Sequence, residues 1–312
     1  MNIVTSYFVV KRLPGSIFLG EASLRHRDAR QEEYMECIRR NAAHAEVVSL
    51  HILIEGTEAY RQFRQRVMED DYFFQSKEMR RKIVPVLWPE AQPTYADLFQ
   101  HANKLLRGKL TMICNADVYL PQVGASVREL QKLFDSDPTR RLSVALTRYE
   151  SEDRRDAPLI EAYRGSHDAF IFRPPTEASF VESVRHPQNC YKAENIVLYE
   201  LQRHGYVVVN PCRSFMLVHH HTADLRQWLP AVDEERYAAG TALHHSGGTR
   251  HVKTNKPFMT TSNVVVVFVV AAGRSLSSLF LCVHVCVCLW DAHSPQFLFF
   301  FFFLIPITLR GS

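Results

Sequence analysis

Two short stretches of the chain carry side chains suited to holding a divalent cation. The first is Asn115, Ala116 and Asp117, directly after the apolar run 109–114. Two short oxygen-bearing side chains one residue apart at a strand end can hold a hard cation, with phosphates and water completing its shell. The same tripeptide also reads as a turn in which Asp117 bonds nearby backbone N–H groups. The second stretch is 215–221, FMLVHHH. Side chains alternate along an extended chain, so His219 and His221 share one face and His220 takes the other. Two imidazoles can therefore point into one site, and imidazole suits Mn²⁺ or Zn²⁺ better than Mg²⁺. Tandem histidines on a solvated surface are the competing reading.

Two acids belong with these segments. Glu194 opens a helix expected over 193–204, where a carboxylate can act as a proton acceptor or simply favour the helix dipole. Asp168 lies in 165–173, GSHDAFIFR, where it can end a loop whose Phe170 and Phe172 pack inward. The chain has no Gly-x-Gly-x-x-Gly, no phosphate-binding GK[ST] loop and no nucleophile elbow. Cys282, His284, Cys286 and Cys288 match no usual zinc spacing.

The elements that must position these residues alternate between Val/Ile-rich runs and stretches of helical period, the pattern of a mostly parallel sheet covered by helices. Strands are expected over 2–10, 46–54, 82–88, 109–114, 142–146, 169–172, 206–209 and 215–219. Helices are expected from an Asp28 cap to about 41, over 57–68, over 95–106 behind a Thr94 cap, around 123–134, and over 193–204. The polar stretch 149–164 reads as a surface loop. Open α/β sheets bind ligands at the carboxyl ends of their strands, and Asn115 and Asp117 fall at such an end.

In this order the segments resemble the nucleotide-sugar glycosyltransferases of the GT-A fold, in particular the broad inverting family with an Asp-x-Asp metal motif and a later Glu-Asp motif. Asn115 and Asp117 occupy the place of the metal motif, with Asn115 in place of the first acid. Glu194 matches the first acid of the later pair and Asn195 replaces the second. The resemblance covers about residues 2–226. It implies a single GT-A-like domain binding a nucleotide diphospho-sugar, with Asp117, Asn115, His219 and His221 around Mn²⁺ or Mg²⁺. Glu194, with Asp168 as the alternative, would take the proton of an acceptor hydroxyl. On the donor side it implies Thr5, Ser6, Tyr7, Asn103, Asn115 and Arg226, with Tyr7 stacking on a base and Arg226 on the diphosphate. The two Asn replacements leave open a non-catalytic relative that binds sugars or a partner.

Composition sets the remaining bounds. The net charge of +4 over 312 residues, with both signs mixed, makes no basic face for nucleic acid. Seven cysteines include no CxxC pair, and Cys37, Cys114, Cys190 and Cys212 read as reduced, buried thiols. The amino terminus starts as a strand without a signal-peptide pattern, so a cytoplasmic location is the expectation. Residues 261–312 differ in kind: Arg274, Asp291 and Arg310 are their only charged residues, and 8 of the 20 Phe fall there. Each apolar run in that stretch is shorter than the roughly 18–20 residues that span a bilayer. The expected organisation is a domain over 1–230, a linker or domain edge over 231–262, and a low-complexity apolar tail over 263–312 outside the fold. A membrane anchor is the functional alternative for that tail.

Overall fold

The structure is a computed structural model and describes residues 1–9, 21–89, 92–153, 167–223, 232, 235–236, 241–242, 263–275 and 278–290. The chain divides into two compact units, Met1–Pro257 and Phe258–Ser312.

The first unit begins with β1 (Asn2–Tyr7), α1 (Glu21–Ala43), β2 (Ser49–Glu55), α2 (Thr57–Glu69), α3 (Asp71–Gln75), α4 (Lys77–Lys82) and β3 (Ile83–Trp88). It continues with α5 (Tyr95–Leu105), β4 (Thr111–Cys114), β5 (Val118–Tyr119), α6 (Val127–Asp135), β6 (Leu142–Thr147) and β7 (His167–Phe172). Last come α7 (Ala178–Ser183), α8 (Ala193–Arg203), β8 (Val207–Asn210), β9 (Val218–His219) and β10 (Thr241–Ala242). Eight strands form one sheet in the order β10-β8-β6-β7-β4-β1-β2-β3. Every neighbouring pair is parallel except those made by β7, which runs against both β4 and β6. This is the mostly parallel α/β sheet expected from the alternating pattern.

Period-2 alternation sorts the strand residues onto two cores. Ile3, Met112, Val144 and Ile171 join Tyr34, Ile38, Phe63 and Phe134 on the face covered by α1, α2 and α6. Val4, Ile113, Ala145, Phe170 and Phe172 join Leu98, Phe99, Phe180 and Leu198 on the face covered by α5, α7 and α8. Burial on both faces explains why these strands read as continuous apolar runs.

Several local rules hold, and others yield to context. Thr94 caps α5 through a reciprocal capping box with Asp97. Asp28, expected as a cap, lies inside α1, because nothing in 21–27 breaks the helix and it begins at Glu21. Gly124, at φ 88, delays α6 until Val127. The expected 215–219 strand shortens to Val218–His219. The described part of the second unit is an antiparallel hairpin, β11 (Asn263–Ser275) with β12 (Ser278–Trp290), in register from Asn263 opposite Trp290 to Ser275 opposite Ser278. No helix among the described residues is long and apolar enough to cross a membrane. Cys37, Cys114, Cys190 and Cys212 are buried and form no disulfide among the described residues.

Candidate metal and carboxylate site

β4 ends at Cys114, and the turn that follows delivers Asp117 to the start of β5. β5 pairs antiparallel with β9, Val118 opposite His219, and the Asp117 carbonyl accepts the His220 N–H at 2.8 Å. Tyr149 lies against the other side of β9: it donates to Leu217 O and accepts from His219 N, each at 2.8 Å. Three segments far apart in sequence thus converge. Ligand atoms of Asp117, His219 and His221 lie within 4.8 Å of one another. The His219 and His221 rings stack at 5.3 Å between centroids, with 12° between planes, as alternation along an extended chain predicts.

Asp117 Oδ2 is the focus of this trio. His219 Nε2 approaches it at 3.3 Å and His221 Nδ1 at 4.0 Å. Arg30 Nη2, from α1, donates to the same oxygen at 2.5 Å. His219 Nδ1 bonds Glu150 Oε2 at 2.7 Å. Burial alone would push the Asp117 carboxyl up, but its hydrogen bond to His219 and the charges of His219 and Arg30 hold it well below the usual carboxylate range. Burial likewise opposes charge on His219, yet its bonds to Asp117 and Glu150 win and push its pKa up to about 9. The bond from His219 is the main cause that brings Glu150 down to about 2, with Arg148 assisting against burial.

Asn115 organises the other half. Its backbone N–H extends the β4–β7 ladder to Asp168 O at 3.0 Å, which places the two side chains opposite each other on one face. Its side-chain amide donates to Asp168 Oδ1 at 3.0 Å and to Glu194 Oε1 at 3.2 Å, and its Oδ1 accepts from the Tyr95 hydroxyl at 3.3 Å. Glu194 comes from the first turn of α8, behind Lys192 in the left-handed backbone region at φ 63. Burial first, then the neighbouring Asp168 charge, raise Glu194 to a pKa of about 7 against the hydrogen bond from Asn115. Burial also raises Asp168, although Arg148 Nη1 donates to Asp168 Oδ1 at 2.9 Å. Asp168 Oδ2 is buried without a hydrogen-bond partner.

Arg148 joins the two halves, because its Nε donates to Glu150 at 2.8 Å while its Nη1 holds Asp168. Charge-assisted bonds therefore run unbroken from Glu194 through Asn115, Asp168, Arg148, Glu150 and His219 to Asp117 and Arg30. Beyond Arg30 lies Glu33, whose carboxylate accepts Arg30 Nη1, the Thr222 N–H and hydroxyl, and the Ala223 N–H.

One carboxylate with two imidazoles, the second nitrogen of His219 fixed by an acid, is a donor set that fits a divalent transition metal. Arg30 supplies compensating positive charge beside Asp117.

Of the residues singled out in the sequence, Asp117, His219 and His221 come together, and Asn115, Asp168 and Glu194 form the adjoining group. Asn115, expected beside the cation, has its carbonyl on the Tyr95 hydroxyl and its amide on the two acids, so it orients carboxylates. The residues expected on the donor side are placed as follows. Thr5 donates to Cys114 O at 2.9 Å, and Ser6 donates to Gln188 at 3.3 Å, both buried. Tyr7 is 2% exposed, its ring edge-on to Phe63 and Tyr34 in the core. Asn103 spends its amide on Thr176, two turns along α5 from Tyr95. Arg226 lies outside the described residues. Arg30, Arg148 and Glu150 were missed, since charged residues in a helix and beside a polar loop carry no local signal of convergence.

No family model and no curated protein matches the chain. Among solved structures, the fold is similar to a protein assigned as a nucleotide-diphospho-sugar transferase from Desulfovibrio desulfuricans G20, at 10% identity and TM-score 0.38, covering 67% of this chain and 79% of that one. It is also similar to a UDP-glucose pyrophosphorylase complexed with UDP-glucose, at 11% identity and TM-score 0.35, covering 70% and 89%. A third is HddC from Yersinia pseudotuberculosis, at 12% identity and TM-score 0.31, covering 59% and 80%. These are loose likenesses of architecture, and chemistry is read below from the site itself.

Proposed function

We propose that this chain transfers a sugar from a nucleotide diphospho-sugar to an acceptor hydroxyl, with inversion and with a divalent cation. One observation carries the reading: a carboxylate–imidazole trio, Asp117, His219 and His221, adjoins a buried carboxylate pair whose Glu194 titrates at about 7. Asp117, His219 and His221 would hold the cation, and two imidazoles favour Mn²⁺ over Mg²⁺. When bound, the cation supplies charge neutralisation for a diphosphate leaving group. Glu194 accepts the acceptor's proton as the acceptor oxygen bonds the anomeric carbon and the bond from that carbon to the diphosphate breaks. A base with pKa near 7 is matched to that task at neutral pH. Asn115 holds Glu194 and Asp168 in one orientation, while Arg148 opposes the rise that burial imposes on Asp168.

A second reading, a sugar- or partner-binding relative without catalysis, draws on the Arg30–Asp117 pair, which satisfies the acid within the chain itself. Calorimetric titration of the full chain with a panel of nucleotide sugars, with and without Mn²⁺, tests the reading. Mn²⁺-dependent binding lost in Asp117→Ala, and binding without transfer in Glu194→Gln, are the expected results. Binding of no nucleotide sugar under either condition overturns it, whereas binding without transfer by the wild type favours the second reading.

A further inference from the structure

We infer that Arg30 is the built-in cation of the Asp117–His219–His221 site, and that a divalent metal enters by displacing it. The inference rests on the reading above that this trio ligates a metal. Arg30 Nη2 bonds Asp117 Oδ2, the oxygen that His219 Nε2 also meets and that His221 Nδ1 faces at 4.0 Å. A metal held by the three ligand atoms would need the Asp117 oxygen that the guanidinium now covers. A dication and a guanidinium around one carboxylate oxygen repel strongly in a partly buried setting. Asp117 is 14% exposed at its side chain and Arg30 is 11% exposed, so water screens them weakly.

Arg30 is also built to let go. One helical turn further on, Glu33 Oε2 accepts its Nη1 at 2.7 Å, and its guanidinium lies 4.8 Å from the Tyr34 ring centroid. Both partners sit on α1 with Arg30. Glu33 is in turn fixed by the backbone N–H groups of Thr222 and Ala223. The guanidinium can therefore swing off Asp117 while keeping an ion pair and a ring contact, so its charge stays partnered. Arg148, the other buried guanidinium here, bonds Asp168 and Glu150. Among the described residues Arg30 is thus a guanidinium with both a hold on the trio and an alternative partner, and it sets how tightly metal is held.

The test is Mn²⁺ titration of the full chain, followed by electron paramagnetic resonance, for wild type, Arg30→Gln, Arg30→Lys and the double variant Arg30→Gln with Asp117→Asn. Arg30→Gln should bind Mn²⁺ about tenfold or more tightly than wild type, Arg30→Lys should stay near wild type, and the double variant should lose the gain. Equal or weaker binding by a folded Arg30→Gln overturns the inference. If that variant does not fold, the wild type decides: modification of Arg30 by phenylglyoxal, followed by mass spectrometry, should rise when Mn²⁺ is added. Unchanged labelling with Mn²⁺ bound overturns it. Failure of the metal reading itself looks different, as no variant then binds Mn²⁺; failure confined to Arg30 leaves wild-type binding that Asp117→Asn removes.

Discussion

Asp168 and Glu194 share one amide group: the side-chain nitrogen of Asn115 bonds a carboxylate oxygen of each, at 3.0 and 3.2 Å. Neither acid could keep this bond if residue 115 were itself an acid, because an ionised carboxylate only accepts. The Asn at position 115 is thus matched to its surroundings.

Restoring the acid should therefore cost stability. Asn115→Asp removes both donors and adds a third carboxyl group beside two buried ones, a change expected to destabilise by about 2–4 kcal/mol at pH 8. Protonation relieves the crowding, so the loss should shrink at pH 5.5. Urea unfolding at the two pH values measures it; an Asn115→Asp variant as stable as wild type at pH 8 removes the bridging role.

Glu194 gives a second pH signature. Its folded pKa of about 7 lies above the ordinary 4.5. The folded state therefore holds the extra proton between those values, and the stability this contributes is lost as pH rises through 7. Glu194→Gln removes the buried charge, so its melting temperature should exceed wild type at pH 8 and converge with it at pH 5, an effect on the order of 1–3 kcal/mol. Where Glu194 is the base, the wild-type transfer rate climbs through pH 7 to a plateau. A transfer rate flat from pH 6 to 8 speaks against that role.

His167 predicts acid sensitivity of the opposite kind. It is completely buried, neither ring nitrogen has a hydrogen-bond partner, and burial lowers its pKa to about 4. The unfolded chain takes up a proton near 6.5 that the folded chain refuses, so stability is present above 6.5 and drains away as pH falls towards 4. His167→Leu should stabilise at neutral pH by about 1 kcal/mol, and its advantage should grow by about 3 kcal/mol between pH 7 and 4. Thermal melts across that range decide, and a constant difference counts against the buried neutral imidazole.

Glu150 should tune the metal trio without touching the metal. It holds the far nitrogen of His219 at 2.7 Å, fixing the ring's orientation. Glu150→Gln is expected to weaken Mn²⁺ binding about 10–100-fold, the usual effect of losing such a partner. Calorimetry on the variant checks it, with an unchanged affinity contradicting the role.

What could be read from residues alone follows the range of the forces involved. The alternation that pairs His219 with His221 and the box that starts α5 at Thr94 are short-range, and both survive in the fold. The β5–β9 pairing that joins Asp117 to His219 is two residues long on each side, too short to leave a period in the sequence. The bonds of Arg30, Arg148 and Glu150 depend on where α1 and the end of β6 pack, and nothing local in a charged residue records that. Tyr7 is a further long-range case: its edge-on contacts with Phe63 and Tyr34 depend on how α1 and α2 pack on β1, which the residues around it do not record.

The pairing of Val118 with His219 also has a consequence in time. Asp117 and His219 are 102 residues apart, so at about 5–20 residues per second a ribosome makes the acid roughly 5–20 s before the imidazole exists. Arg30 and Glu33 are already made by then. The Arg30–Asp117 ion pair is thus made of residues that all precede the histidines, whereas the bond between Asp117 and His219 waits for the last part of the domain.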